Sequence, residues 1–581
     1  MMVMYCASMA AADLDGHLFR VRIAARSRYL SDVPVLVRVE VQDKAGRVER
    51  GLWDAVATLT ADNPAITYSP AEVTMYNGLG SALVTFTGSG DFSLTAEVNG
   101  LKDSKAITHL AEEPVTTVSG SVTTSETWRG LYHITGGDFK IPAGVTLTLD
   151  PGTLVMIDGV TSGSGGADIN VSGAIQSLGT PESPVTFTAY ETGKNWGELH
   201  HENAEPSTFR YTNIHRGGRS PSVGHSGTGP TLRVKNSAII FEHANLTDNA
   251  GKLMHATSGS DLTFLDCLFA RCVMGPEMSA TALLFQDSWI TNMSAKDDAD
   301  GIYVHSQRSD QTCVMRGGVV ANIVDDGIDL LGADITIEDC IIRDCDDKGI
   351  SAYNGVTQIS HCLVVNNNRS PEDPTVTSVA AKATGGATTI VNMDHTTIVT
   401  TRTPGVIDFG IQSHNKRGET RGAILWHVFN CIIDATDPIN VQAPYLESDV
   451  RVDHSDLFSE PWPGPGNINA APDFVDPDNG DYHLTSQAGH WSQLTGAWMV
   501  DQITSACIDA GSQADPLGHE AFPNGGIVNM GFYAATPQAS RSYFDAPVCE
   551  TIVAGDINGD CLVNFKDFAL MALHWAEDNT Q

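Results

Sequence analysis

The stretch GVVANIVDDGIDLLGADITIEDCIIRDCDDKGISAYNGVTQISHCLVV, residues 318–365, contains one unit three times. A small or thiol residue precedes two hydrophobic positions at Gly318-Val-Val, Cys340-Ile-Ile and Cys362-Leu-Val, and both intervals are 22 residues. A unit of this length cannot bury its apolar face alone, and a period near 22 is one minimal coil of a parallel β-helix. Working outward, related units stand at Thr212-Asn-Ile, Ala244-Asn-Leu, Cys267-Leu-Phe, Ser288-Trp-Ile, Thr397-Ile-Val, Cys431-Ile-Ile and Asp456-Leu-Phe. The longer intervals among them read as coils with a loop inserted at one corner. Ten such units at about 4.8 Å per strand predict a rod on the order of 45 Å long. The same register places Cys267, Cys340, Cys362 and Cys431 at one position, where they are expected to form a ladder in the core. The competing reading is a disulfide or metal site among Cys267, Cys272, Cys340 and Cys345.

The rest of the chain is read against this solenoid. Residues 1–17 include a short apolar stretch without a basic start, which fits the remnant of an export signal. Residues 18–115 alternate in short strands, Val35–Val41, Ala55–Thr60, Ser81–Phe86 and Phe92–Val98, punctuated by Asn77-Gly78 and Gly88-Ser89-Gly90. They predict a β-sandwich, and the pattern resembles a bacterial immunoglobulin-like domain, which implies a spacer or adhesive module. Residues 116–466 are the expected solenoid, and residues 467–545 its cap, because open strand edges invite pairing. The fold class is therefore all-β: a right-handed parallel β-helix after a sandwich, followed by a small calcium-binding loop and helix at 550–581. From about Thr116 onward the chain resembles large exported β-helix proteins of planctomycete-type bacteria.

Composition excludes some partners. The 34 basic and 70 acidic residues of this 581-residue chain give a net charge of −36, which repels a phosphate backbone, so nucleic acid is not expected. No apolar run is long enough for a membrane span. A secreted or cell-surface location is the expectation.

Two acidic motifs carry candidate chemistry. In the tail, Asp556, Asn558, Asp560, Asn564 and Asp567 occupy positions 1, 3, 5, 9 and 12 of a loop, the oxygen pattern of a Ca²⁺ site, with helical periodicity from Phe568 to Trp575. This looks like one half of a dockerin repeat, although Cys561 stands where such loops favour Gly; the resemblance implies a cohesin-like or cell-surface partner. In the solenoid, Asp297-Asp-Ala-Asp-Gly-Ile302, Asp325-Asp-Gly-Ile-Asp329 and Asp346-Asp-Lys-Gly-Ile350 place Gly301, Gly327 and Gly349 at intervals of 26 and 22, so the three segments are expected to stack.

Such a corner admits three readings: Asp-Gly turns that only shape the corner, a Ca²⁺ site from Asp298, Asp300, Asp326 and Asp329, or a catalytic site. β-Helix lyases of the chondroitinase and alginate-lyase type use a Lys base with an Arg partner, roles open here to Lys348 or Lys382 with Arg402 or Arg417. Pectinase-type hydrolases use Asp residues as acid and base, a role open to Asp326 and Asp347. Trp196, His200 and His201 are read as a possible sugar-binding edge, and His361 and His395 as turn residues. The expected function is engagement of polysaccharide, as a lyase or glycoside hydrolase; the alternative is a non-catalytic adhesin or surface structural protein.

Overall fold

The computed structural model describes residues 18–110, 113–295, 298–367, 377–400, 407–414, 422–442, 447–544, 555–557 and 562–573. From Val115 the chain winds into three parallel sheets. The first has 14 strands, from Val115–Val118 to Asp456–Phe458; the second 13, from Glu126–Trp128 to Glu447–Asp453; the third 12, from Phe139–Ile141 to Asp437–Val441. The coil order is first, third, second. The ten repeats legible in the sequence are the last ten strands of the first sheet, and four earlier coils extend the rod to about 62 Å at the usual strand spacing.

From the strand Ala238–Glu242 onward, each coil turns from second to first sheet through a two-residue corner. Its first residue is left-handed, as at His243, Asp266, Asp287, Asp339, His361, His395 and Asn430, which explains the Asp, Asn and His found there. Its second is the small or thiol position, where Cys267, Cys340, Cys362 and Cys431 are fully buried free thiols. Their backbones are held by hydroxyls one coil on: Cys267 N–H donates to Ser288 Oγ at 2.9 Å and Cys431 N–H to Ser455 Oγ at 3.0 Å. Strand register puts Thr396 and Ser455 in this column, one residue before the Thr397 and Asp456 read from the sequence.

The second and third sheets alternate inward apolar with outward polar residues. The first is apolar on both faces, as in Leu363-Val364-Val365, because both faces are covered. Residues 18–110 form nine strands in one sheet, antiparallel except where Arg28–Tyr29 pairs with Leu101–His109. The sheet curls until its first strand meets its late one, Ile23 N–H donating to Asp103 Oδ2 at 2.9 Å, around a core that includes Val37, Val39, Val84, Phe86 and Leu94.

This unit is no detached spacer; it lies along the first sheet. Arg26 donates to the Gly152 carbonyl at 3.1 Å, Tyr76 OH to Asn292 at 2.9 Å, and Arg50 binds Asp339 through both carboxylate oxygens at 2.8 Å. Residues 467–544 meet the end of the rod at Ile468, which bridges to the last strand, and at Cys507, whose thiol donates to Asp456 Oδ2 at 3.2 Å. The remainder runs back along the same flank, so that Tyr482 and Phe532 join Trp53, Leu79, Trp289, Ile341 and Leu363 in one apolar layer. In the tail, the helix Phe565–Leu573 follows Asn564, and the buried Asp567 carboxylate accepts N–H groups of Ile557 and Asn564, both at 2.8 Å. Asn558 and Asp560 lie outside the described residues. No described helix is long and apolar enough to cross a membrane.

Candidate functional site

With the first sheet covered, the third offers its outward face. Register stacks Asn170, His200, Arg233, His255, Glu277, Tyr303, Asp329 and Ser351 in one outward column. At the joint of first and third sheets, beside the later members of this column, the acidic segments stack as their glycines require. Gly301 N–H donates to Asp326 O at 2.9 Å and Gly327 N–H to Lys348 O at 2.8 Å, and a Cβ on Gly301 would lie 2.5 Å from Gly327 O. No side chain fits there, which is why glycine marks the corner.

The stacking brings Asp300, Asp326 and Asp329 together, one oxygen of each lying within 4.8 Å of the others. Asp326 is buried and accepts both the backbone N–H of Lys348, at 2.9 Å, and its ammonium, at 3.3 Å; Asp347 is the second acceptor of that ammonium. Burial alone would raise the Asp326 pKa, but Lys348 and then Lys382 outweigh it and hold the group below the usual carboxylate range. Asp300 goes the other way: burial, then the charges of Asp329 and Asp326, push it well above that range. Burial and Asp326 likewise raise Asp329, while burial and the neighbouring Asp326 push Asp325 up to about 7 and Asp347 to about 6. Lys348, despite burial, is raised by Asp326 and Asp347 and is a fixed ammonium.

That pairing corrects the reading of Lys348 as a base, since a base must be free of its proton. Lys382 is buried one coil further on, near enough for its charge to bear on Asp326 and Asp347. Asp298 is exposed, faces His225 at 3.9 Å and is not one of the three clustered carboxylates, although its charge reaches Asp300. Arg402 and Arg417 lie outside the described residues. The proposed sugar edge is also corrected: Trp196 and His201 are fully buried core residues, Trp196 donating to His215 O at 2.9 Å and burial pushing His201 down to about 3, and only His200 faces outward. Trp196 stays inside because its indole N–H finds a carbonyl there.

For Ca²⁺ the carboxylates supply the right donor type, but three fall short of the six to eight oxygens a calcium ion takes, and the Lys348 ammonium already stands beside one of them.

One group of residues escaped sequence reasoning. Glu277, buried, binds the fully buried Lys252 and accepts the His225 N–H at 3.0 Å, with His255 Nε2 and His305 Nε2 each 3.9 Å from its other oxygen. His225 packs on Tyr303 with ring centroids 4.6 Å apart, and Tyr303 on His305 at 4.8 Å. These residues come from separate coils and one inserted loop, and a lone Glu or His in a repeat gives no signal. A cleft of about 720 Å³ lies elsewhere, between the N-terminal unit, the first sheet and residues 493–538. Its charges include the paired Arg50 and Asp339, and among the described residues no three of its carboxylates lie within 4.8 Å of one another.

Asp325 gives a stability test. A carboxyl raised to about 7 binds its proton more tightly folded than unfolded, so its stabilising contribution is complete below its unfolded value, near 4, and is lost as pH rises through about 7. Asp325→Asn keeps an acceptor for the Ala299 N–H, 3.2 Å away, and removes the charge. The variant is expected to melt a few degrees above the parent at pH 8 and to show no gain at pH 4, measured by circular dichroism; a gain independent of pH would refute the assignment.

Comparison with known proteins agrees with the coil architecture. A family model described as right handed beta helix region matches residues 233–399, and one described as disaggregatase related matches residues 461–511. No curated protein matches the chain. Among solved structures, the crystal structure of pectate lyase Pel9A aligns with 68% of this chain and 88% of its own at 12% identity, with a TM-score of 0.29. The protein is a right-handed parallel β-helix protein.

Proposed function

We propose that this β-helix binds a polysaccharide along the outward face of its third sheet and hydrolyses it at Asp300 and Asp326. The carrying observation is that two carboxyls within 4.8 Å are driven to opposite protonation states, Asp300 toward the acid and Asp326 toward the carboxylate. That is the division of labour glycoside hydrolysis needs. Asp300 gives its proton to the glycosidic oxygen as the bond from that oxygen to the anomeric carbon breaks. Asp326 attacks that carbon to form a glycosyl ester, and water, giving its proton to the now ionised Asp300, then hydrolyses the ester and regenerates both groups. A separation within 4.8 Å leaves no room for a water between the two carboxyls. Lys348, shared with Asp347, keeps Asp326 ionised. Elimination with Lys348 as the base is disfavoured, because Lys348 is held as an ammonium. A polymeric substrate fits the long column of polar side chains leading to the corner, and it places the protein outside the cell or on its surface. The tail, by its oxygen pattern, is proposed to bind Ca²⁺ and to attach the protein to a surface partner.

The test is incubation of the full chain with neutral, amino-bearing and uronate polysaccharides, following reducing ends and the absorbance of unsaturated products. New reducing ends without unsaturated products are expected. Unsaturated products would restore the lyase reading, and binding without cleavage across the panel would favour the adhesin.

A further inference from the structure

The chain carries 34 basic residues against 70 acidic ones, so an arginine buried without an acidic partner is out of place. Arg26 is such a residue. It follows the strand Arg20–Ala24, lies against the early coils of the rod and is only 5% exposed. Among the described residues its guanidinium makes one hydrogen bond, to the Gly152 carbonyl, and no ion pair. Its remaining N–H groups are not shut off from solvent. They open into a cavity of about 430 Å³ between the N-terminal unit and the coil turns at Arg129-Gly130 and Asp150-Pro-Gly152. Burial, then the charge of Arg28, push the Arg26 pKa down to about 10, and Glu113 offsets this only in part. A guanidinium held away from water without a counter-anion is destabilising, and an anion entering the cavity would relieve it.

The lining specifies the ligand. Arg28 stands on the same wall with its charge shared with Glu113 at 3.0 Å, and Arg129 is paired with Asp150. Three cations thus meet two carboxylates, and the charge left unmatched is that of Arg26. A metal ion or an amine would add to the excess, and a neutral hydroxyl would leave it as it is. The planar fork of a guanidinium suits the paired oxygens of a carboxylate or a sulfate. The cavity falls within the usual range of small-molecule sites, about 300–1,000 Å³, so it has room for more than a bare ion. Ser27 and Ser183 on the lining supply hydroxyls of the kind that bond the hydroxyls of a sugar ring. We propose that Arg26, with Arg28 and Ser183, forms a binding site for an acidic sugar at the joint of the N-terminal unit and the early coils, its carboxylate or sulfate seated on Arg26. The site lies six coils, about 29 Å, from the coil of Asp326, and it stands whether or not the corner cleaves.

Isothermal titration of the full chain at pH 7 tests this with glucuronate, glucose 6-sulfate, glucose and sodium sulfate as probes. At least one acidic sugar is expected to bind tenfold or more tighter than glucose, about 1.4 kcal/mol, and tighter than sulfate alone. Arg26→Met is expected to abolish that binding. Arg26 also tethers the N-terminal unit through Gly152 O, so a second variant decides the matter should this one fail to fold. Ser183→Asp leaves the tether in place and supplies a carboxylate from within the chain; it is expected to block the acidic sugar and to raise the melting temperature. Binding that survives either substitution in folded protein would overturn the proposal. So would glucose bound as tightly as the acidic sugars, sulfate alone matching them, or no binding of any probe at millimolar concentration. None of these outcomes bears on hydrolysis at the corner, which is read separately from reducing ends released from polysaccharide.

Discussion

Asp326→Asn is expected to lower turnover of the true substrate at least about a hundredfold, roughly the least that a positioned acid or base contributes. The side chain is buried and isosteric with its replacement, and the coil stack at this corner rests on backbone hydrogen bonds through Gly301, Gly327 and Gly349, so the sheet signal should be retained. Lys348→Met separates a positioning role from a catalytic one. Without the ammonium, burial raises the Asp326 pKa, and the acid limb of the pH–rate profile moves to higher pH while the plateau survives in part. If Asp326→Asn retains full activity on a substrate that the parent cleaves, the chemistry lies elsewhere on the rod.

The largest stability effect is expected at Arg343. Its guanidinium is 1% exposed, yet every nitrogen is used: Nε donates to Asn77 Oδ1 at 2.8 Å, Nη1 to Asp344 at 2.5 Å, and Nη2 to Trp53 O at 2.8 Å and Asp54 at 2.6 Å. Its carbon lies 4.3 Å from the centre of the Trp53 ring, in stacking contact. Arg343→Ala leaves Asp344 without that partner at the buried joint and opens a cavity between solenoid and N-terminal unit. The acceptors left unpaired at Asn77 and Trp53 O cost about 1–3 kcal/mol each, while Asp54 keeps its solvent contact. We expect residues 18–110 to separate from the rod as an earlier melting step, with new protease cleavage between the two units. A single unchanged transition would show that the apolar layer around Trp53 suffices for docking.

How far the sequence revealed this molecule depended on whether the signal was periodic. The coils were legible because Cys340-Ile-Ile and Cys362-Leu-Val repeat at fixed spacing, and the acidic corner because Gly301, Gly327 and Gly349 must stack wherever their coils do. The partnership of Asp300, Asp326 and Lys348 follows from that register alone. The protonation states do not, since they depend on burial and on Asp347 and Lys382 in three dimensions. Nor was Glu277 with Lys252 and His255 legible, each being one polar residue in its own coil. The docking of the N-terminal unit left a trace that went unread: runs such as Leu363-Val364-Val365 are apolar at consecutive positions, which a sheet with one wet face does not require. Trp196 beside two histidines looked like a surface cluster, but strand alternation sends His201 inward and His200 outward.

The docked N-terminal unit also sets an order of events during synthesis. Trp53 and Arg343 are 290 residues apart. At translation rates of about 5–20 residues per second, the finished N-terminal unit waits on the order of 15–60 s for the coils that will cover it. Tyr482 and Phe532, the last pieces of the same apolar layer, arrive later still. Throughout that interval the nascent protein displays Trp53 and Leu79 without the Arg343 coil against them, so chains that stall before the tenth coil should be the ones that aggregate or recruit a holding chaperone.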